Sequence, residues 1–575
     1  MDKKEIIRNI KELAILLEVK GANPFKIRAL QNGARILQKL DLNIEEALQS
    51  GELGQIKGIG KGIIAILKEL LETGKCAELE ALKSELPAGL LEILKIPGLG
   101  AKKVKVLFEK LNITSLGELE YACRENRLVD LAGFGLKSQN SILEGIEKLR
   151  QFAKYRLIDE ARPLAEQLQR WLKNQPNISG GAIVGQCGMF SEISDKIELL
   201  IGTDEPPENL QRSIQEYELC QDILKIEHDR IVFVTPSELE VQLWFSSPDS
   251  FIPEKIRRTS SPEIWKFYLG QLAGAGYQFR DGSLFLPNGS MLILHSEAEF
   301  FEIIGLPEIP VEIRGSAQIH QHYLRRKTPP LVERKDIQGV IHAHSSWSDG
   351  VTGIKEMAEY CRKAGFSYLA ISDHSQSAFY ANGLTPQRIL QQHQEIQQLN
   401  EQMTNFKILK SIEVDILPDG SLDYDDSVLA EFDLVIASIH SQLKMEDARA
   451  TERILKALEN PYVNMLGHPT GRLLLGREGY SPDMEKILGF AAENHIAIEI
   501  NANPRRLDLD WRWIPRAIEL GVMLSVNPDA HRLEGIEDIQ YGVAMARKGG
   551  AESRHILNCL DMDGVLEFCQ KRIKK

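Results

Sequence analysis

The sequence predicts a multidomain chain: an all-α head, an α+β middle region, and an α/β barrel with parallel strands at the C-terminus. Three observations predict it. Apolar residues recur at i, i+3 and i+4 across residues 1–150. Short strand-like runs bounded by turns follow a single helix across 151–325. From 336 to 575, apolar strands alternate with amphipathic helices. A length of 575 residues accommodates three or more domains.

Composition excludes several classes. Hydrophobic residues make up 43% and charged residues 26%, so a chain disordered throughout is excluded. No apolar run is long enough to span a bilayer. The N-terminal MDKKEIIRNIKELAILLEVKG is charged throughout and lacks the core of a secretory signal. Seven scattered cysteines with no CxxC pair predict reduced thiols and a cytoplasmic protein. The net charge of −13 is unevenly spread: residues 1–150 carry 24 Lys/Arg against 21 Asp/Glu, the rest 45 against 61. A mildly basic head is thus joined to an acidic body, which either repels nucleic acid or is rich in metal-binding carboxylates.

In the head, IIRNIKELAILLE and GIIAILKELLETG have helical periodicity. IKGIGKGIIAIL, IPGLGAKKVKVLF and LAGFGLKSQNSIL are copies of one unit, a hydrophobic residue, Gly-x-Gly and a helix, spaced by about 35–40 residues. Gly58 and Gly60, Gly98 and Gly100, and Gly133 and Gly135 allow tight turns that bring backbone N–H groups and a helix N-terminus to an anion. Lys61, Lys102, Lys103 and Lys137 trail them within reach of a phosphate. Glycines that merely connect packed helices are the structural alternative. The units resemble helix-hairpin-helix motifs, which grip DNA backbones without reading sequence.

The middle region opens with the helix LIDEARPLAEQLQRWLK, followed by the strand-like GAIVGQC, KIELLIG, DRIVFVT and VQLWF. RRKTPPLVERKD, with paired prolines and dense charge, is the expected linker to the barrel.

In the C-terminal region the strands GVIHAH, YLAISDH, LVIASIH, VNMLGHP, IAIEINAN and VMLSVNPDAH end in, or are followed by, polar residues. His342, His344, His374, His440, His468 and His531 fall at these ends, interleaved with Asp349, Glu413 and Asp529. Imidazole with carboxylate suits zinc, manganese or iron. The i, i+2 spacing of His342 and His344 puts both rings on one strand face. Nine such groups exceed the needs of one tetrahedral ion, so two or three divalent ions are expected. A lone strand-end histidine is usually structural; six with three carboxylates are not. Arg472 after GHPT and Arg505 after NANP are candidate phosphate clamps, with surface ion pairs as the alternative.

HAHSSWSDG, SDH, IEVDI, SIHS, GHPTGR, EINANP and NPDAH resemble the successive motifs of the PHP (polymerase and histidinol phosphatase) domain. The resemblance implies a distorted (β/α)7 barrel in which His342, His344, Asp349, His374, Glu413, His440, His468, Asp529 and His531 hold the ions. Its chemistry would be phosphoester hydrolysis, with His342, His344, Asp349, Glu413, Asp529 and Arg472 at the reacting centre.

NPFKIRALQNGARIL followed by the hairpins resembles the N-terminal domain of family X DNA polymerases, whose bacterial members carry a nucleotidyltransferase-like polymerase core and then a PHP domain. The division implied is 1–150, 151–325 and 336–575. The core departs from its family. In GQCGMFSEISDKIELLIG, Gly185 is kept, but Gln186 stands where a serine is expected, and Gly188 and Met189 where basic residues are. Lys196 and Glu198 occupy two metal-binding aspartate positions, and Gln242 the third. The triphosphate turn reads Thr259-Ser260-Ser261. The formal charge of the three-residue site becomes zero, and an ammonium about 4 Å from a divalent ion is repelled by several kcal/mol. The expectation is a folded but silent polymerase core, with Glu192 and Asp195 as the carboxylates a shifted register would offer. The lyase position of some relatives falls at Ile66, with Lys68 on another helix face.

The expected protein is therefore a cytoplasmic, monomeric DNA-processing nuclease. It would act as a 3′–5′ exonuclease, and as an abasic-site endonuclease, on gapped, nicked or primer–template DNA. The alternatives are an active polymerase with proofreading, a histidinol-phosphatase-like enzyme for small substrates, and a non-catalytic DNA scaffold.

Overall fold

A computed structural model describes residues 3–39, 44–111, 113–124, 128, 131, 133–476 and 478–573. Ala132 of the third hairpin and the two residues at each chain end lie outside these. The chain forms two compact units, Met1–Ala153 and Lys154–Lys575.

The first unit is helical among its described residues. One apolar core gathers Ile10, Leu13, Leu37, Leu67 and Leu70; a second gathers Ile93, Val104, Leu107, Leu119 and Ile146. The buried positions are those the i, i+3, i+4 spacing marks out, because that spacing lines one helix face.

The second unit begins with a five-stranded sheet. Its spatial order is Gly180–Val184, Lys196–Gly202, Glu240–Ser246, Arg230–Val234, Asp222–Ile226. The second and third of these pair in parallel, the other neighbours antiparallel. The helix Ile158–Lys173 buries Ala161, Ala165, Leu168 and Leu172 against Ile197, Leu199, Ile201 and Val241. Period-two alternation leaves Lys196, Glu198, Gln242 and Trp244 on the opposite face. Residues 251–325, beyond the last of the strand-like runs, hold helices Phe251–Arg258, Pro262–Gly274, Glu297–Ile303 and Ala317–Arg325 and a small three-stranded sheet.

The barrel has seven parallel strands whose spatial order is their chain order: β1 (Gly339–Ala343), β2 (Tyr368–Ile371), β3 (Lys407–Asp415), β4 (Leu434–Ser438), β5 (Met465–Leu466), β6 (Ala497–Asn501) and β7 (Leu524–Asn527). The ring is nearly closed. At the seam, β1 meets the end of β7 through the single bridge Ala343–Ala530, with the His344 N–H donating to the Ala530 carbonyl at 2.8 Å. β3 is the strand missing from the list of apolar runs, because Lys407, Lys410, Glu413 and Asp415 break its hydrophobic pattern.

One buried apolar cluster runs from Ile158 and Ile256 through Phe300, Ile313 and Val332 into the barrel helices. The expected linker is irregular but seated. Val332 is wholly buried and donates its N–H to the Ala551 carbonyl at 2.9 Å, and Arg326 donates to the Gly550 carbonyl at 2.7 Å.

Candidate functional site

All nine histidines and carboxylates singled out above converge at the C-terminal mouth of the barrel. His342 and Glu413 sit within β1 and β3, while His374, His440, His468, Asp529 and His531 lie two to four residues beyond their strands. Three groups bring donor atoms within 4.8 Å of one another: His344, Asp349, His374 and His531; His342, His344 and Asp529; His374, Glu413 and His440. His344 and His374 each belong to two groups, so the three are contiguous. His468 joins through its Nε2, 3.0 Å from Glu413 Oε1.

The two rings of His342-x-His344 do meet, with centroids 5.2 Å apart, but not by simple strand alternation. The register between β1 and β2 shifts between Val340 and Ala343, and His342 has φ +63. A bulge of this kind re-aims a side chain at a strand end. Asp529 has φ +51 and His468 φ +22. Non-glycine residues in this region cost about 1–3 kcal/mol each and collect at functional sites.

Hydrogen bonds fix the orientation of these side chains. Glu499 Oε1 lies 2.6 Å from His342 Nδ1 and accepts from Asn527 Nδ2 at 2.9 Å, while Oε2 accepts the His468 N–H at 2.7 Å. Asp415 Oδ1 lies 2.5 Å from His440 Nδ1. Asp373, wholly buried, accepts from Ser345 N–H and Oγ, Ser348 Oγ and Gln392 Nε2, which ties down the loop carrying Asp349. Carboxylates behind imidazoles in this way raise their basicity and set their tautomer. Glu499, Asp415 and Asp373 escaped the sequence reading. Glu499 and Asp415 stand two residues from a quoted asparagine or carboxylate on the same strand face, the one signal that was available.

The electrostatics suit a cation. Burial opposes the charged form of Glu413, yet His440, His342 and His374 hold it well below the usual carboxylate range. Asp529 is held down likewise by His342, His344 and His531. Burial works against His440, but Glu413 and Asp415 push it up to about 10; burial, with His531 and His374, pushes His344 down to about 3. Buried carboxylates here draw their compensating charge from imidazoles, a role that divalent ions fill when imidazoles are neutral ligands. His342 Nε2, His344 Nδ1 and Glu413 Oε2 are buried without a hydrogen-bond partner, which fits atoms that would bind a metal ion.

Arg472, the expected phosphate clamp, has its guanidinium engaged within the protein. Its guanidinium is spent on Asp510 Oδ2 at 2.6 Å, on the carbonyls of Arg506 and Leu507, and on Glu192 Oε1 at 3.6 Å. Arg505 is exposed. The arginine that reaches the site is its neighbour Arg506, with Nε 3.4 Å from Asp529 Oδ2. Arg472 instead holds the backbone of Arg506.

On the middle sheet, Lys196, Glu198 and Gln242 share one face, and Glu198 pairs with Gln242 in register. Glu198 Oε1 accepts from Trp244 Nε1 at 3.3 Å, Gln242 Nε2 donates to Glu240 at 2.6 Å, and Arg258 stacks over Trp244 at 3.7 Å. Glu192 lies 3.6 Å from both Arg472 and Arg512. Lys548 of the barrel, buried and pushed down to about 8 by that burial against the pull of Glu192, donates to the carbonyls of Met189 and Phe190 at 3.0 and 3.2 Å. Among the described residues, every group of three or more His, Cys, Asp or Glu with metal-ligand spacing lies in the barrel.

The three hairpins share one geometry. Gly58, Gly98 and Gly133 have φ +102, +85 and +87, which an L side chain adopts only under strain. Ile59, Leu99 and Phe134 are buried, and each donates its N–H to the carbonyl three residues back, at 3.0, 3.1 and 2.9 Å. A Cβ at Gly60, Gly100 or Gly135 would meet nothing within 4 Å, so that side of each turn is open. Lys61, Lys102 and Lys137 are exposed in the first turn of the helices that follow. At the expected lyase position Ile66 is buried, and Lys68, two residues on, is exposed. Among the described residues no helix is long and apolar enough to cross a membrane.

Residues 1–76 match the helix-hairpin-helix domain family and residues 341–503 the PHP domain family. The chain is 36% identical over 574 residues to the DNA polymerase/3′-5′ exonuclease PolX of Bacillus subtilis (strain 168), covering 99% of this chain and 100% of that protein. It is 28% identical over 245 residues to a probable phosphatase of Thermoanaerobacter sp. (strain X514), covering 41% of this chain and 95% of that one. A probable phosphatase of Vibrio campbellii is 26% identical over 219 residues, covering 35% and 80%.

Proposed function

The chain belongs to the PolX family of DNA polymerase/3′-5′ exonucleases, and we propose that its working centre is the barrel, a metal-dependent phosphodiesterase that removes nucleotides from DNA 3′ ends. The single observation that carries this is the convergence of nine donor side chains at the mouth of the barrel, eight in three contiguous groups and His468 beside Glu413. His342, His344, Asp349, His374, Glu413, His440, His468, Asp529 and His531 would hold two or three divalent ions, of zinc, manganese or iron. Such ions lower the pKa of a water towards neutrality and screen the charge of a phosphate ester. Glu499 and Asp415 orient the imidazoles. Arg506 offers its guanidinium to a non-bridging phosphate oxygen. The hairpins of residues 1–150 hold the DNA backbone through Gly58–Lys61, Gly98–Lys102 and Gly133–Lys137.

Residues 151–325 would be a polymerase core without polymerase chemistry, and 336–575 the phosphoesterase. Lys196, Glu198 and Gln242 supply one carboxylate where two ions need several, and that carboxylate is engaged by Trp244. Glu192, the carboxylate of a shifted register, faces two arginines of the barrel. The protein would act as a monomer on gapped, nicked or primer–template DNA. A small-molecule phosphatase is favoured by the barrel-length matches to probable phosphatases; three hairpins with trailing lysines favour DNA.

The test is 5′-labelled primer–template DNA with Mn²⁺, with and without nucleotides, beside His342→Ala. Stepwise shortening that needs His342 and is abolished by chelation is expected, with no lengthening when nucleotides are added. Shortening that persists in His342→Ala overturns the nuclease assignment. Lengthening that Glu198→Ala abolishes overturns the silent core.

A further inference from the structure

Two apolar side chains stand in water at the ligand-bearing end of the barrel. Phe379 is 79% exposed and Val351 65%. Val351 follows Asp349 by two residues in the segment after β1, and its N–H donates to the His531 carbonyl at 2.9 Å. Phe379 follows His374 by five residues in the segment after β2. Five residues of chain place its Cα no more than about 18 Å from that of His374. A single exposed phenylalanine is ordinary by itself; this one is set apart by its place in the loop that follows His374, hydrogen-bonded to the loop that carries Asp349.

The mount of this ring is rigid. Ser375 and Leu384 bridge at the base of the loop. Within it, Ser377 N–H donates to Asp423 Oδ2 at 2.8 Å and Gln376 Nε2 to the Asp423 carbonyl at 2.7 Å. Ala378 and Ala381, either side of the exposed ring, are buried. Arg388 donates to the Asn382 carbonyl at 2.9 Å. Arg388 and Asn382 both donate to the Trp347 carbonyl, which stitches this loop to the one carrying Asp349 and Val351. An aromatic on such a mount gives contact area at little cost in ordering.

We propose that Phe379 is a stacking platform for an unpaired nucleobase at the 3′ end of the strand being cut, with Val351 as its apolar rim. The proposal rests on the nuclease reading of the barrel. Every base has a π-face, so the platform is indifferent to sequence, as removal of successive nucleotides requires. A paired 3′-terminal base is held in the helix by its template partner and its one stacked neighbour, so the platform favours frayed, mismatched or single-stranded ends, whose last base is free to leave the helix.

The test compares the full-length protein with Phe379→Ala and Phe379→Trp on single-stranded oligonucleotides that end in a normal nucleotide or in a 3′-terminal residue lacking its base. Binding is read in EDTA by anisotropy of a 5′ label, and cleavage separately in Mn²⁺ as KM and kcat. With the base present, Phe379→Ala weakens binding and raises KM about ten-fold, the scale of one base–aromatic stack, and Phe379→Trp restores both. With the base absent the three proteins converge. An equal loss on both oligonucleotides, or no loss on either, overturns the proposal. Binding in EDTA reports the platform whether or not the barrel cuts; Mn²⁺-dependent cleavage lost in His342→Ala reports the nuclease reading alone.

Discussion

Glu499 Oε1 lies 2.6 Å from Nδ1 of His342, and both side chains are wholly buried. The carboxylate at the middle of β6 thereby decides which nitrogen of the imidazole on β1 faces the other ligands, across the width of the barrel mouth. Glu499→Gln keeps the shape and removes the charge. Metal affinity or exonuclease rate is expected to fall about 10–100-fold, with DNA binding retained. Metal content by mass spectrometry and cleavage of labelled DNA check it; unchanged values would remove Glu499 from the site.

The two arginines separate by role. Arg506→Ala is expected to lower kcat/KM for DNA by at least ten-fold with little change in thermal stability, since its guanidinium makes one loose pair at 3.4 Å. Arg472→Ala takes one of its two arginine partners from the half-buried Asp510 and the donor from two carbonyls, and is expected to lower Tm by several degrees. Calorimetry and kinetics on both variants read this; the reverse pattern would restore Arg472 as a phosphate contact.

Gly58→Val meets both a φ of +102 and a Cβ 2.3 Å from Ile36 Cδ1, so it is expected to disturb the first hairpin itself. Lys61→Ala, Lys102→Ala and Lys137→Ala leave the turns intact. Each is expected to weaken DNA binding uniformly across sequences and to reduce the slope of log K against log salt by about one. Titrations at several salt concentrations measure it, and an unchanged slope would mean that lysine touches no phosphate.

Asp538 gives a pH signature away from the metal ligands. Burial, then the neighbouring Asp159, pushes its carboxyl from 3.8 up to about 7. Folding therefore takes up a proton across that window, and this contribution to stability falls as pH rises from 3.8 through about 7. Asp538→Asn mimics the protonated form. Its Tm is expected to match the wild type near pH 5 and to exceed it near pH 8. Equal Tm at both pH values would contradict the shift.

Where sequence and structure part, local chemistry explains it. The strand-end histidines and Asp529 were legible because a polar residue terminating an apolar run is conspicuous, whereas Asp349 and Glu413 were picked out by the motifs HAHSSWSDG and IEVDI. The first two hairpins were legible because Gly-x-Gly before a helix has few other uses. β3 was not, since Lys410 and Glu413 interrupt its apolar pattern while its neighbours' side chains complete the burial. Arg472 and Arg506 cannot be told apart in a string: only the packing of the 506–510 segment spends one guanidinium and frees the other. Three of the helices of 251–325 run nine residues or fewer and hide the helical period, and PEIWKFYLGQLAG at 262–274 is apolar on most of its faces and so shows no amphipathic stripe.

The apolar cluster that runs unbroken from Ile158 into the barrel helices has an evolutionary consequence. A deletion of 154–325 would lay bare the barrel side of that cluster and leave Lys548 without the two carbonyls that accept from it. Selection for a stable barrel therefore also preserves the fold of the middle region, independently of any chemistry that region carries.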